Sequence, residues 1–299
     1  MSVMNETSVK INYINKQLAK GLLPKRVEKS HKGTYGNVLN IAGSASYPGA
    51  AYLSSVSALR AGAGYVMLAA PSSVIPIVAA NSADVTYLDV GESQYGSIPK
   101  DALRFIQGVA NPYCFSIGCG LGTSKPAKDF LSSFFAKYLK SQTPIIIDAD
   151  AINILSQLKR VDLPLNSIIT PHPLELSRLL GVDVSEIQED RIKWAWEASK
   201  KFDCIVLLKG YESVIAIPNG QIFINTTGNS ALSKAGAGDV LTGMIAGFCA
   251  QGLNLENAAC LAVYLHGRSG ELASKTHTEY SVLASNLINY IPFAIKEIL

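Results

Sequence analysis

The chain has 299 residues, 48% of them hydrophobic and 16% charged, and a formal net charge of +3. So much apolar material supports a sizeable core and excludes disorder as the main state, because disordered chains combine low hydrophobicity with high net charge. A charge this small, without Lys/Arg blocks, leaves no electrostatic footprint for nucleic acid, so the expected ligand is a small molecule.

In chain order, a polar N-terminal arm over residues 1–25, which could carry a helix, precedes a single domain over residues 26–299. Residues 1–20 lack the basic-then-apolar order of a signal peptide. Strand-length apolar runs follow at 37–42, 65–69, 114–117, 144–148, 167–170, 205–209, 214–217 and 221–225. They are short and apolar on both faces, as strands of a covered parallel sheet must be. Helical-period segments fall between them at 49–61, 125–140, 173–180 and 184–201, with three more helices in succession from Asp239 onward. Alternation of this kind predicts an α/β fold with a mostly parallel central sheet and helices on both faces. Pro218-Asn219-Gly220 between two of the runs predicts an antiparallel hairpin, placed at one edge. No residue from 61 to 83 carries a charge, a length that could cross a bilayer. Gly62 and Gly64 open that stretch and Pro71 and Pro76 interrupt it, so a strand, a turn and a short helix are the reading, with no membrane span. The five cysteines form no CxxC pair and are odd in number, which predicts buried free thiols in a reducing cytoplasm.

Ligands of open α/β sheets bind at the carboxyl ends of strands, and the residues able to carry chemistry fall there. In Lys234-Ala235-Gly236-Ala237-Gly238-Asp239, glycines leave backbone N–H groups bare just before a helix, a ready anion site. Asp239 would lie at the reactive end of a phosphate bound there, able to orient and deprotonate an attacking hydroxyl; the plain alternative is an N-cap. Lys209-Gly210 closes a strand, where the lysine could reach a phosphate or simply face solvent. Thr170-Pro171-His172-Pro173-Leu174-Glu175 leaves His172 at a strand's edge, and Glu175 could hold Mg²⁺ through water or complement a helix dipole. Asp148 and Asp150, two apart on a strand, would share one face and suit a metal or substrate hydroxyls, unless Asp150 caps a helix. The glycine loop 118–122 and the small-residue loop 43–50 could approach a ligand or make tight turns, and 31–36 could be a mobile lid or a plain connecting loop.

Taken together, HKGTYGNVLNIAGSASYPGAAYLSSVSALRAGAG, GCGLG, IIDADAIN, TPHPLE, LLKG, GNSALSKAGAGDVLTGMIAG and YLHG resemble, in order, the ADP- or ATP-dependent NAD(P)H-hydrate dehydratases of the ribokinase-like superfamily. The resemblance runs from about residue 29 to 270 and implies a stand-alone dehydratase lacking the fused epimerase domain. It implies repair of hydrated NADH and NADPH at the expense of ADP or ATP, with Mg²⁺, in a homotetramer. By that resemblance Asp239 is the catalytic aspartate that helps the C6 hydroxyl attack the terminal phosphate. Lys209, Gly210, Tyr211, Glu212, Ser213, Gly236 and Gly238 match nucleotide-binding positions. Ala50, Gly120, Gly122, Asp150 and His172 are assigned to the hydrated dinucleotide. The sequence departs from the family's usual pattern at Lys234-Ala235-Gly236, which replaces Thr-Gly-Gly, and at Cys119, which replaces a proline. Two rivals stand beside this reading. One is a small-molecule kinase of the same superfamily, in which Asp239 would activate a substrate hydroxyl; the other is a nucleotide sensor without turnover.

Overall fold

The computed structural model describes residues 10–109, 112–158 and 162–299. The first half of the chain runs β1 (Lys10–Ile14), α1 (Lys16–Leu22), β2 (Asn37–Ile41), α2 (Pro48–Ala61), β3 (Tyr65–Ala70), α3 (Val74–Ala79), β4 (Thr86–Asp89), α4 (Leu103–Ile106), β5 (Cys114–Ile117) and α5 (Lys125–Tyr138). It continues through β6 (Ile145–Ile147), α6 (Asp150–Leu155), β7 (Ser167–Ile169), α7 (Pro173–Leu180), α8 (Val184–Glu189), α9 (Arg191–Phe202) and β8 (Ile205–Leu208). The hairpin β9 (Val214–Ala216) and β10 (Gln221–Asn225) follows, then α10 (Ala237–Ala250), α11 (Leu255–Ser281) and α12 (Ala284–Lys296).

All ten strands join one sheet in the order β1-β10-β9-β8-β7-β6-β5-β2-β3-β4, and only β9 runs antiparallel to its neighbours. This is the ribokinase-like α/β arrangement that the sequence leads one to expect. Alternation along the strands sends successive side chains to opposite faces. Ile146, Ile168, Leu207 and Ile215 pack with α2, α10, α11 and α12, whereas Ile145, Ile147, Ile169, Val206 and Leu208 pack with α5, α6, α7 and α9. Both faces are therefore covered, and β5, β6 and β7 are buried along their whole length.

The N-terminal arm and the helix after α7 differ from the sequence expectation, and the stretch 61–83 agrees with it. The arm, from residue 10 on, contains a strand: β1 lies parallel to β10 and outside it, with Ile14 fully buried, so the hairpin sits one strand in from the edge. An unpaired β10 would offer open hydrogen-bonding groups, and β1 covers them. Residues 1–9 of that arm lie outside the described residues. The helix expected over 184–201 is two helices, because Asp190 (φ −140°, ψ 77°) leaves the helical region and its carboxylate caps α9 by accepting from the Lys193 N–H at 2.9 Å. The stretch 61–83 is β3, a turn and α3, and no helix of the described residues is long and apolar enough to cross a membrane.

One polar contact lies deep in the core. Asn40 of β2 donates to Ser54 and Ser55 of α2 at 2.8 and 2.9 Å, fixing that helix over the sheet. Against α2 runs α10, so closely that a Cβ on Gly243 would stand 2.1 Å from the Ser54 carbonyl oxygen. This pair of small-residue helices sets where α10 begins, and with it the site.

Candidate active site

The N-cap of α10 is Gly236, held at φ +89° against Leu53 and Ala284, and it makes no side-chain cap. Asp239 stands in the first turn without capping it, so the N-cap alternative for this residue falls away. First-turn amides have no intrahelical acceptor; that of Ala237 is taken by the Lys234 carbonyl at 3.2 Å, leaving those of Gly238 and Asp239 at the positive end of the helix.

Four strand ends bring side chains to this point. Asp148 follows β6 and is buried; its Oδ1 accepts from Lys209 Nζ at 2.6 Å and its Oδ2 from Thr242 Oγ1 at 2.6 Å. Burial opposes ionisation of Asp148, but the Lys209 ammonium and the two hydrogen bonds outweigh it and hold the carboxyl below its ordinary range. The same pairing pushes Lys209 up despite its burial, so both partners stay charged. Lys209 is therefore no solvent-facing lysine: its charge is anchored, and Gly238 lies beside it, a Cβ there standing 3.2 Å from Nζ.

Asp239 has the opposite environment. Burial, followed by the charge of Asp148, raises it to about 6, and no lysine, arginine or histidine lies within ion-pair distance of it among the described residues. Cys119 joins the two aspartates: its Sγ and one carboxylate oxygen from each all lie within 4.8 Å of one another.

Asp150 does not share a face with Asp148. The strand ends at Ile147, and Ala149 (φ 49°, ψ −118°) turns the chain so that Asp150 opens α6, where its Oδ2 accepts from Gly122 N–H at 2.8 Å. His172 is the N-cap of α7: its Nδ1 accepts from the Glu175 N–H at 3.3 Å, and Glu175 Oε2 accepts from the His172 N–H at 2.8 Å. Burial, then Lys209, lowers His172, so its imidazole is neutral. Glu175 is buried and raised to about 7, chiefly by burial, and its Oε2 lies 3.9 Å from Lys209 Nζ. Glu175 thus caps α7 through Oε2, and its other oxygen, Oε1, lies 3.4 Å from His172 Nε2.

The carboxylates Asp148, Asp150, Glu175 and Asp239 fit a hard cation held through water. They carry more negative charge than Lys209 neutralises, as the raised Glu175 and Asp239 record. Both oxygens of Asp148 are already committed, which argues against direct coordination there.

Beside this cluster opens a cavity of about 540 Å³. Lys209, Gly210, Tyr211, Glu212, Ser213 and Gly238, all candidate nucleotide contacts, line it; Gly236 does not, being packed beneath as the cap. Arg191 supports the 209–213 loop from below, donating to the carbonyls of Leu208 and Lys209 at 3.1 and 3.2 Å. Sequence reading missed the opposite wall, formed by residues 225–230 after β10 and by His266 of α11. A polar run directly after a strand was the available signal for the former. His266 is buried and lowered to about 4 by burial, so it is neutral, and its Nε2 lacks a partner.

Of the candidate dinucleotide contacts, Ala50, Gly120 and Gly122 lie at the β2 and β5 ends, on the other side of Asp148 from the cavity, whereas His172 follows β7, between β6 and β8. Gly120 follows Cys119 and meets Ala50, a Cβ on it standing 2.7 Å from the Ala50 Cβ. Gly118 (φ +124°) must be glycine, because a Cβ would stand 2.0 Å from the Asp148 carbonyl oxygen. The 31–36 loop belongs to the far end of the sheet: it precedes β2 and Tyr35 accepts from the Gly64 N–H, so it is no lid over this site.

Comparison with known proteins is consistent with this geometry. A family model described as NAD(P)H-hydrate dehydratase matches residues 38–293. The ADP-dependent (S)-NAD(P)H-hydrate dehydratase of Bacillus subtilis is 36% identical over 271 residues, 90% of this chain and 92% of that protein. A bifunctional NAD(P)H-hydrate repair enzyme of Moorella thermoacetica is 38% identical over 92% of this chain, which spans about half (52%) of that relative's length. The crystal structure of the B. subtilis ADP/ATP-dependent dehydratase, co-crystallised with ATP and Mg²⁺, superposes with a TM-score of 0.84 at 33% identity, covering 99% of this chain and all of the other.

Proposed function

The chain belongs to the NAD(P)H-hydrate dehydratase family, and from that premise we propose that it restores hydrated NADH and NADPH to the dihydronicotinamide form at the expense of ADP or ATP. The observation that carries the reading is Asp239: a carboxylate with no cation pairing it among the described residues, raised to about 6, at the bare start of α10 and beside a cavity of nucleotide size. General bases work best with a proton affinity near the operating pH. Asp148, whose oxygens serve Lys209 and Thr242, is unsuited to that task.

In the proposed reaction the nucleotide lies along Lys209–Ser213 and 225–230, with its terminal phosphate at the Gly238 and Asp239 amides. Asp239 takes the proton from the C6 hydroxyl of the hydrate as that oxygen bonds to phosphorus and the bond to the nucleotide's leaving oxygen breaks. The ring-nitrogen lone pair then expels the phosphate, and loss of a C5 proton regenerates the conjugated ring. Mg²⁺, when bound, screens the phosphate charge; Glu175 and Asp150 would hold it through water. Ala50, Gly120 and Gly122 offer the small and neutral surfaces that a dinucleotide needs on the opposite side, and His172 offers a neutral imidazole after β7. The Lys209 ammonium fixes Asp148 and adds positive potential beside Gly238.

The test is recovery of NADH absorbance from the hydrate, run in parallel with ADP and with ATP. Wild type should restore it, and Asp239→Asn should lower the rate about 10²- to 10⁴-fold while nucleotide still binds, the range for a general base. A phosphorylated small alcohol as stable product would instead favour the kinase, and tight ADP binding without any turnover the sensor. We place the protein in the cytoplasm, a reading supported by five free, buried cysteines. A homotetramer is likewise proposed, and light scattering should give a mass about four times 31.9 kDa.

A further inference from the structure

His266 of α11 holds an unmet polar atom in the wall of the nucleotide cavity. The residue is 6% exposed, and its Nε2 has no hydrogen-bond partner. Of the buried side-chain nitrogens and oxygens without a partner among the described residues, only this one belongs to a residue lining the cavity. Its polar neighbours in the wall are engaged. Thr227 Oγ1 donates to the Tyr264 carbonyl at 2.9 Å, Asn225 Nδ2 to the Thr227 carbonyl at 3.0 Å, and Ser213 Oγ to the Gly210 carbonyl at 3.0 Å. Burial lowers His266 to about 4, so the ring is neutral and carries a single N–H. The Ala237 carbonyl hydrogen-bonds the imidazole, which places that N–H on the nitrogen facing it and leaves Nε2 with a lone pair. A buried acceptor left without a donor costs free energy, which a donor on a ligand recovers.

The parts of a nucleotide differ in what they offer such an atom. Polyphosphate oxygens are acceptors themselves and are repelled by it. Ribose is polar over its whole edge, whereas Leu232, Leu241, Val263 and Gly267, which line the cavity with His266, present apolar surface suited to a flat ring. We propose that His266 reads the nucleobase: Nε2 accepts from the exocyclic amino group of adenine and selects adenine nucleotides over those with a carbonyl at the same position. This inference rests on the reading of the cavity as the nucleotide site. Hypoxanthine and guanine set a carbonyl oxygen where adenine has its amino donor, and that oxygen would face the lone pair of Nε2.

The experiment compares ADP with IDP, which differ only in the edge of the base that carries this group, as co-substrates for NADH-hydrate dehydration. Wild type, His266→Leu and His266→Gln are assayed, each verified as folded by circular dichroism. Wild type should favour ADP in kcat/KM by about 10- to 100-fold, the range for a buried group left unpaired. His266→Leu should raise the KM for ADP about tenfold and bring the ratio of ADP to IDP close to one. Gln, whose amide oxygen accepts, should restore most of the preference, an outcome that mere repair of packing does not give. A wild type that uses IDP as well as ADP, or a Leu variant that keeps the preference, overturns the proposal. So does an equal loss with both nucleotides, which would give the bond to ribose. Nitrogen NMR of wild type labelled in its four histidines needs no turnover. The Nε2 resonance of His266, assigned by its absence from either variant, should move more on adding ADP than on adding IDP. If ADP moves it but no nucleotide supports dehydration, the dehydratase reading has failed and the role of His266 stands. If ADP drives dehydration without moving it, only the role of His266 has failed, and no binding of ADP at all overturns both.

Discussion

Asp148 and Asp239 are the same chemical group held in one small cluster, yet one is stabilised as an anion and the other is not. A lysine, a threonine hydroxyl and burial act on the first; burial and the first one's charge act on the second. Environments that push two carboxyls apart in this way separate an anchoring acid from a working base. The arrangement costs stability. Asp239 holds its proton more tightly in the folded chain, at about 6, than in the unfolded chain, at about 4, so folding loses stability as pH rises through that interval and carries the full cost above it. Asp239→Asn removes the titration and should stabilise the protein by about 3 kcal/mol at pH 8, and by almost nothing at pH 4. Urea melts at the two pH values measure the difference; equal gains at both would contradict it.

At the scale of elements, α10 is where packing and chemistry meet. Its position depends on contact with α2 so close that Gly243 has no room for a methyl group, the obstacle being the Ser54 backbone carbonyl, which cannot swing aside. Gly243→Ala should therefore destabilise by about 3 kcal/mol, although helix propensity alone would favour alanine by about 1 kcal/mol. Gly21 of α1, with nothing within 4 Å of its would-be Cβ, is the matched control and should gain stability in a denaturant melt. The elements most legible in the sequence were those buried on both faces: β2, β5, β6 and β7 read as plain apolar runs. The strands that escaped notice, β1 and β4, are the two edges, half exposed and therefore mixed in polarity. Asp190 broke a helix for a related reason: its side chain caps better than its backbone continues, and hydrophobic period alone does not record that. At the site, glycines and strand ends led to Asp239 and the 209–213 loop, because those signals are local. The partnership of Lys209 with Asp148, 61 residues apart, and the wall contributed by His266 depend on the folded sheet.

At the scale of the molecule, the order of strands arranges the candidate residues in a row. The nucleotide cavity lies at the ends of β8 and β10, the aspartates at β6 and α10, and the small-residue loops at β5 and β2. On the proposed assignment the nucleotide would take the β8 and β10 ends and the hydrate the β2 and β5 ends, with Asp239 between them. On that assignment neither molecule would have to vacate its berth before the other arrives, and the reaction we propose would pass through a ternary complex. Double-reciprocal plots at several fixed nucleotide concentrations should give lines that intersect, and parallel lines would mean that phosphorus is parked on the protein between two separate visits.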